Sequence, residues 1–304
     1  MNMIPKTMQK GFVTIVEQAC ESVPGFRNSY QKFHQKAIIE QNSSSFVENY
    51  GRSASQIALH FGISPEKLSV EEINSYLYYL SMHENYSESY FKCTVFGMRY
   101  WFRLFDMEDK AIRMPPIKKK ETLPVVLGKE ECKELFSAPR MFKHKIVLTL
   151  AYSGGLRMNE LRHLRISDID FDRMQIRIQQ GKGKKDRYVV LSKIMKQALE
   201  KYYAIEKPEV FVLNGHEKGE RMGERSIQYV INEALKKTNI KKAVTMHTLR
   251  HSYATHLLED GVDLFSIKHL LGHSDIRATL VYLHVAQLKT NLAHSPLDSL
   301  YGRL

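Results

Sequence analysis

A basic, proline-containing segment divides this 304-residue sequence into two parts. Pro115 and Pro116 disfavour a helix, and the run Lys118-Lys119-Lys120 follows them. Because a helix does not continue through paired prolines, the helical patterns on either side predict separate domains. We therefore predict a basic linker over residues 111–122. The lysine run fits either a solvated hinge or a strap along a polyanion, and the sequence leaves both open.

The part before the linker is predicted to be all-α. Residues 1–40 carry two loosely specified helical patterns, which we treat as an N-terminal helical extension. Residues 41–110 form a helical domain in which Ser53 and Ser69 each begin a capping box, and Gly51 is expected to end a short helix before the first box. One helix carries an apolar stripe that repeats every three or four residues and predicts a core face: Phe91, Val95, Met98, Phe102 and Phe105.

The part after the linker, residues 123–304, is predicted to combine helices with a small β-hairpin. Residues 174–178 alternate apolar and polar side chains, and residues 187–191 return as a second strand after a glycine- and lysine-rich turn at 181–186. A further short strand is expected at 210–213. The predicted fold class is therefore mainly α with a small β-hairpin or sheet, in two domains.

Composition narrows the class of partner. With 43% hydrophobic residues the chain is globular, and 45 basic against 33 acidic residues give a net charge of +12. That excess of basic residues favours a nucleic-acid partner, although a surface that only keeps the protein in solution can carry the same net charge. No apolar run approaches membrane-spanning length. The three cysteines form no metal-binding or disulfide pattern, which fits a reducing cytoplasm: Cys20, Cys93 and Cys132.

Several side chains of the second part are suited to phosphoryl transfer. Guanidinium groups hold phosphate oxygens through a planar fork, imidazole exchanges protons near neutral pH, and a phenol is a possible covalent nucleophile. A lysine on a hairpin tip can protonate a departing hydroxyl. The candidate catalytic residues are Arg157, Lys182, His247, Arg250, His273 and Tyr282.

Four sequence boxes in series resemble the tyrosine recombinase (phage integrase) family. The boxes and their key side chains are Gly155–Leu161 with Arg157, Gly181–Arg187 with Lys182, His247–His256 with His247 and Arg250, and Leu270–His273, which Tyr282 follows nine residues later. Any one box alone is a weak signal, whereas four in this order are specific. The resemblance covers the second domain fully and the first more loosely, as an α-helical core-binding module.

The resemblance implies a DNA strand-cleaving and rejoining enzyme that needs no metal and no nucleotide cofactor. Tyr282 would attack a phosphodiester of double-stranded DNA to give a 3′-phosphotyrosine and a free 5′-hydroxyl. His247 is the best sequence candidate for the base, and Lys182 for the general acid. A homotetramer on two DNA sites is the implied assembly, from a monomer or dimer when free.

Other residues are predicted to support this site. Glu160 lies three residues after Arg157, on the same helix face, and is expected to orient Arg157 or His247; a plain surface ion pair is the alternative. Tyr253 is expected in the core, and His251 and His256 at the surface or in packing. The candidate DNA-contacting residues are Lys118, Lys119, Lys120, Lys184, Lys185 and Arg187.

Features near the end of the chain bear on the choice within the family. Ser295–Asp298 reads Ser-Pro-Leu-Asp and resembles the ending of integron integrases, yet residues 226–246 leave no room for their extra segment. We therefore favour a mobile-element integrase. A Xer-like chromosome or plasmid dimer resolvase, a type IB topoisomerase-like enzyme and a DNA-binding architectural protein with an inactive site remain as alternatives.

Overall fold

The computed structural model describes residues 14–82, 87–107, 110, 112, 123–179, 186–217 and 219–286. The chain divides into two compact units, Met1–Lys120 and Glu121–Leu304. Each unit has a hydrophobic core of its own. The predicted fold class, mainly α with a small sheet, is confirmed. Within the described ranges, no helix has the length and apolar character that crossing a bilayer requires.

Serine side chains cap the start of three helices in the first unit. Ser43 and Ser87 each accept a hydrogen bond from the third backbone N–H that follows. Ser69 and Glu72 form the predicted capping box, with bonds of 2.8 and 3.1 Å. The helices of the first unit are α1 (Ile15–Ser22), α2 (Phe26–Ile39), α3 (Ser44–Phe61), α4 (Val70–Met82) and α5 (Glu88–Leu104).

The core of the first unit is aromatic. Trp101 on α5 is fully buried and stacks on Phe26 and Phe33 of α2, with ring centroids 5.7 and 5.4 Å apart. Residues 15–39 thus pack into the same core as the helices that follow them. The stripe predicted on α5 lies in or against this core, so its aromatic side chains serve packing.

The prediction that Gly51 ends a short helix is wrong. Helix α3 continues through Gly51, and Ser53 bonds back to the carbonyl of Asn49 inside the helix instead of capping a new one. A Cβ on Gly51 would lie 2.9 Å from Cε2 of Tyr30. Glycine here therefore serves the close approach of Tyr30 on α2 and not a turn.

The second unit is built around α7, which packs against α9, α10 and α11. Its residues Ile146, Val147 and Leu150 are at most 1% exposed. The helices of this unit are α6 (Lys129–Ser137), α7 (Phe142–Ser153), α8 (Met158–His163), α9 (Lys193–Glu206), α10 (Glu224–Leu235), α11 (Met246–Glu259), α12 (Leu264–Leu271) and α13 (Arg277–Leu280), and a 3-10 turn follows at Val281–His284.

A three-stranded antiparallel sheet completes the second unit, in the order β1 (Ile169–Asp170), β2 (Gln175–Ile178), β3 (Arg187–Val190). Ile176 pairs with Val189, and both are buried, which confirms the alternation expected of the hairpin. The strand expected at 210–213 is absent from the described residues. Phe211 makes only an isolated bridge with Arg165.

Candidate active site

A tight turn at Gly155 presents the first arginine. Gly155 has φ +56°, and a Cβ there would lie 2.4 Å from Cδ1 of Tyr253, so both the backbone and the packing require glycine. Arg157 follows as the N-terminal cap of α8, with its side chain 23% exposed. Its Nη2 donates to the carbonyl of Gly272 at 3.4 Å. Arg157 thus lies at the edge of the site, beside the turn that precedes His273.

The second arginine, Arg250, is buried at 3% exposure and joins three segments of the chain. From α11, its Nη1 donates to the carbonyl of Gly155 at 2.7 Å and its Nη2 to that of Leu271 at 2.5 Å. Burial lowers the pKa of Arg250, and the charge of Arg157 lowers it further. A guanidinium remains charged at neutral pH despite such a shift, so a concentrated positive charge lies under the site.

Glu160 neutralises part of that charge. Its Oε1 accepts from Nη1 of Arg157 at 2.7 Å, and its carboxylate lies 3.7 Å from Nη1 of Arg250. Burial alone would raise the pKa of Glu160, but hydrogen bonds and charge from Arg187 and Arg157 outweigh it and lower the pKa to about 2. The carboxylate therefore orients both arginines while ionised.

The position of Arg187 differs from the one predicted from the sequence. It was predicted to contact DNA, but its side chain is 5% exposed and donates twice to the Glu160 carboxylate, at 2.9 and 2.7 Å. Its Nε also donates to the carbonyl of Leu270 at 2.8 Å. Because these three bonds hold a buried side chain, Arg187 ties the sheet to the end of α12 instead of facing a ligand.

His273 is held by the segment that follows α12. Helix α12 ends at Gly272, with φ +62°, and the next residue, His273, is partly buried. Its Nδ1 lies 2.9 Å from Oγ1 of Thr279, which is fully buried. Burial, together with the charges of Arg250 and Arg157, lowers the pKa of His273 to about 4. The imidazole is therefore neutral at neutral pH and can donate one N–H into the site.

Tyr282 lies against the same cluster from its own chain. It is in the 3-10 turn after α13, at 1% exposure. Its hydroxyl is 3.1 Å from Nδ1 of His251. Burial raises the pKa of Tyr282, while the charges of Arg250 and Arg157 act to lower it. The phenol is therefore protonated at rest and lies within the field of the two arginines.

His247, the base suggested by the sequence, lies one helical turn before His251 on α11. The ring centroids of the two histidines are 6.5 Å apart, and His247 is exposed. Burial lowers the pKa of His247, and the charges of Arg250 and Arg157 lower it further. Within the described part of the chain it makes no hydrogen bond to Tyr282. His251, expected at the surface or in packing, is the residue that sequence reasoning missed. Its spacing of four from His247 was the available signal.

Other predicted site residues lie outside the described residues: Lys118, Lys119, Lys120, Lys182, Lys184 and Lys185. Among the residues that are described, no cluster of three or more histidine, cysteine, aspartate or glutamate side chains could hold a metal ion.

Comparisons with known proteins identify the family of the chain. The model of the phage integrase family matches residues 106–289. The inferred integrase/recombinase y4qK of Sinorhizobium fredii is 34% identical, over 89% of this chain and 88% of its own. Tyrosine recombinase XerA of Thermococcus kodakarensis is 35% identical, over 66% of this chain and 72% of its own.

A solved structure has the same fold. The lambda integrase tetramer bound to a Holliday junction matches 87% of this chain and 80% of its own, with a TM-score of 0.65 at 18% identity. The family match spans most of the second unit, and the arginines, His273 and Tyr282 that it covers lie in one cluster. The chain therefore belongs to the phage integrase family of tyrosine recombinases.

Proposed function

We propose that this chain cuts and rejoins double-stranded DNA at specific sites through a covalent 3′-phosphotyrosine at Tyr282. One observation carries the proposal. A buried phenol, two arginines and a neutral histidine converge from four separate segments of one chain. The packing of a hydrophobic core does not require such a concentration of cationic groups, whereas the binding of a phosphodiester does.

Arg157 and Arg250 would hold the two non-bridging oxygens of the phosphate. Charge on these oxygens must be stabilised as the attacking and leaving oxygens come into line. Donors already oriented at such a site are worth roughly 2.7–4 kcal/mol each, by analogy with single oxyanion-hole donors. Glu160 and the carbonyls of Gly155 and Leu271 keep the arginines oriented before DNA arrives.

The histidines would change character when DNA binds. At rest the pKa values of His247 and His273 lie below their ordinary range, from burial and then from the neighbouring arginines. A bound phosphate brings negative charge, which opposes the arginines and raises both pKa values. His273 then donates to the phosphate through Nε2, because its Nδ1 is occupied by Thr279.

The departing 5′-oxygen needs a proton, and Lys182 is the proposed donor. An ammonium is a suitable general acid for a departing oxygen. The free 5′-hydroxyl can then move away. The hydroxyl of a second strand can attack the phosphotyrosine, which releases Tyr282 and reseals the duplex. In this scheme no metal and no nucleotide cofactor takes part.

The proposed partner is duplex DNA, contacted also by Lys118, Lys119, Lys120, Lys184 and Lys185. The net charge of +12 supports this choice. We further propose a tetramer on two DNA sites and a cytoplasmic location. The lambda integrase of similar fold is a tetramer bound to a Holliday junction, which supports the proposed assembly. The free cysteines are consistent with a reducing compartment: Cys20, Cys93 and Cys132.

The proposed biological setting is integration or excision of a mobile element. The likeness to y4qK, over 89% of this chain, favours an integrase. A chromosome or plasmid dimer resolvase is the second candidate, because XerA is 35% identical to this chain. It ranks second because that match covers only 66% of the chain.

Trapping on nicked DNA tests the proposal. The full chain is incubated with a pool of duplexes whose core is randomised and whose cleaved strand carries a nick, so that the leaving fragment is lost. We expect a protein–DNA adduct that survives denaturation, with sequences enriched for one site. Tyr282→Phe should bind the same DNA and give no adduct. An adduct retained by Tyr282→Phe, or relaxation of supercoiled DNA without site preference, would contradict the proposal.

A further inference from the structure

The hydroxyl of Tyr282 lies against an imidazole that the family boxes did not single out. Its oxygen is 3.1 Å from Nδ1 of His251, on the turn of α11 that also carries Arg250. Tyr282 is 1% exposed, so bulk water does not reach the hydroxyl. Among the described residues this imidazole is its hydrogen-bonding partner. A proton that leaves the phenol in this geometry therefore leaves toward His251.

His251 is in the form that accepts a proton. Burial lowers the pKa of His251, and the charges of His247 and Arg250 lower it further. The groups that face it are His247 and Arg250 on its own helix, Tyr282 on the 3-10 turn, and His273, whose pKa His251 in turn lowers. The neutral tautomer with hydrogen on Nε2 leaves Nδ1 free to accept from the phenol.

The geometry of His247 is less suited to this role. Its ring centroid lies 6.5 Å from that of His251, and burial lowers its pKa, with a further contribution from the charges of Arg250 and Arg157. His251 is partly buried, while His247 is exposed. An exposed imidazole beside the arginines suits a phosphate ligand, whereas the imidazole against the phenol suits proton transfer.

Resting on the function proposed above, we propose that His251 is the catalytic residue that accepts the phenolic proton of Tyr282 during DNA cleavage. The O–H bond of Tyr282 breaks and its proton moves to Nδ1 of His251. The phenolate oxygen bonds to phosphorus as the bond to the 5′-oxygen breaks, and the general acid of the proposed function gives that oxygen a proton. The phenolic proton stays within the protein on His251, and the proton that the general acid loses is the one that the 5′-hydroxyl gains, so the step balances.

His251→Gln tests the proposal on the duplex enriched by the trapping experiment, in single-turnover adduct formation. Loss of a general base is expected to slow the step by roughly 100-fold to 10,000-fold at neutral pH. Because the phenol must then ionise unaided, the rate of the variant should rise with pH and the gap to the wild type should narrow. A merely structural role would give a loss that does not depend on pH, and would overturn the proposal.

His256→Gln is the matched control. His256 lies on the same helix, is 5% exposed and bonds through Nδ1 to the hydroxyl of Tyr152 at 2.8 Å. It therefore repeats the buried histidine–tyrosine bond without touching Tyr282. We expect its adduct rate to stay close to that of the wild type, with thermal unfolding used to verify that both variants fold. A rate for His251→Gln equal to or above that of the wild type would overturn the proposal.

A second measurement needs no DNA, so its failure is distinguishable from failure of the proposed function. Long-range proton–nitrogen NMR of the free protein, with His251 assigned by its glutamine variant, reports the tautomer and the state of Nδ1. We expect hydrogen on Nε2 and an Nδ1 resonance that moves in Tyr282→Phe, while the His256 signals stay in place. An Nδ1 resonance unchanged by Tyr282→Phe would overturn the proposal.

Discussion

Thr279 sets the direction in which His273 can donate. Its hydroxyl lies 2.9 Å from Nδ1 of His273. In the tautomer with hydrogen on Nε2, the hydroxyl donates to Nδ1 and the ring N–H is free for the proposed phosphate. Thr279 makes no direct contribution to the chemistry. It acts through the orientation and tautomer of His273, as outer partners do for metal-bound histidines.

Thr279→Val should therefore slow cleavage about 10-fold, the lower end of what such partners contribute, with little change in DNA affinity. The measurement is single-turnover adduct formation alongside a binding isotherm. Thr255→Val is the control, because Thr255 is equally buried and its hydroxyl has no hydrogen-bond partner among the described residues. An equal loss of rate in both variants would contradict this role.

The ionised carboxylate of Glu160 should make the second unit sensitive to acid. Its pKa is lowered to about 2 in the folded state, from an ordinary value of 4.5. A depressed folded pKa contributes stability above the unfolded pKa, and this contribution is lost as the pH falls toward 2.

Denaturant unfolding of the wild type and of Glu160→Gln, from neutral pH to below pH 3, measures this effect. The wild type should be the more stable at neutral pH, and the difference in free energy of unfolding should shrink as Glu160 becomes protonated. The direction follows because Glu160→Gln lacks the charge at every pH. A difference that stays constant with pH would show that the charge of Glu160 does not hold the arginines.

His251 and Arg187 show where residue types in a sequence stop being informative. The four boxes indicated the arginines, His273 and Tyr282, because their chemistry is specific. Whether Arg187 faces solvent or Glu160 depends on the register of β2 and β3. The sequence does not fix this register to the exact residue, and a shift of one residue turns every side chain to the other face. The contact of His251 with Tyr282 depends on how the 3-10 turn after α13 packs on α11, which no local pattern encodes.

At the scale of elements, the C-terminal glycine of α12 connects three parts of the site. Gly272 has φ +62°, accepts from Arg157 through its carbonyl and directly precedes His273. A Cβ on Gly272 would lie 3.0 Å from Cδ of Arg187. Gly261, after α11, also has a positive φ, +92°, but a Cβ there would meet nothing within 4 Å.

Gly272→Ala and Gly261→Ala should separate strain from contact. Both substitutions place an alanine in a left-handed conformation, which costs roughly 1–2 kcal/mol of stability. Only Gly272→Ala should also lose most of its adduct formation, because the alanine displaces Arg187 and with it the Glu160 pair and His273. The measurements are thermal unfolding and single-turnover trapping. Equal activity of the two variants would contradict the proposed connection.

Glycine also marks the limit of predicting elements from a sequence. The hairpin, the Ser69 capping box and the end of α12 at Gly272 follow from local chemistry and are confirmed. Gly51 carried the same local signal as Gly272, yet it lies inside α3 because Tyr30 approaches it. A close approach between helices belongs to the tertiary structure. A single glycine in a sequence therefore does not show whether it ends a helix or allows such an approach.

At the scale of the whole molecule, the charge balance predicts a strong salt dependence. Each lysine bound to a DNA phosphate releases counterions, so the logarithm of affinity falls linearly with that of salt concentration. Replacing Lys118, Lys119 and Lys120 together with glutamine should reduce the slope by about 1 for each phosphate that these lysines neutralise.

Binding isotherms over a range of salt concentrations measure this slope. The control replaces Lys133 and Lys236 with glutamine, because both ammonium groups are already bound to carboxylates, those of Glu130 and Glu233. The control should leave the slope nearly unchanged. A slope unaffected by the triple substitution would favour the solvated hinge for residues 118–120.

The central claim is that Tyr282 itself becomes joined to DNA, and peptide mapping of the trapped adduct tests it most directly. After digestion by nuclease and protease, mass spectrometry should find one peptide carrying a nucleotide, with the bond on the oxygen of Tyr282. A nucleotide bonded to another side chain, such as Tyr253, or an intact unmodified Tyr282 peptide in fully trapped protein, would contradict the account.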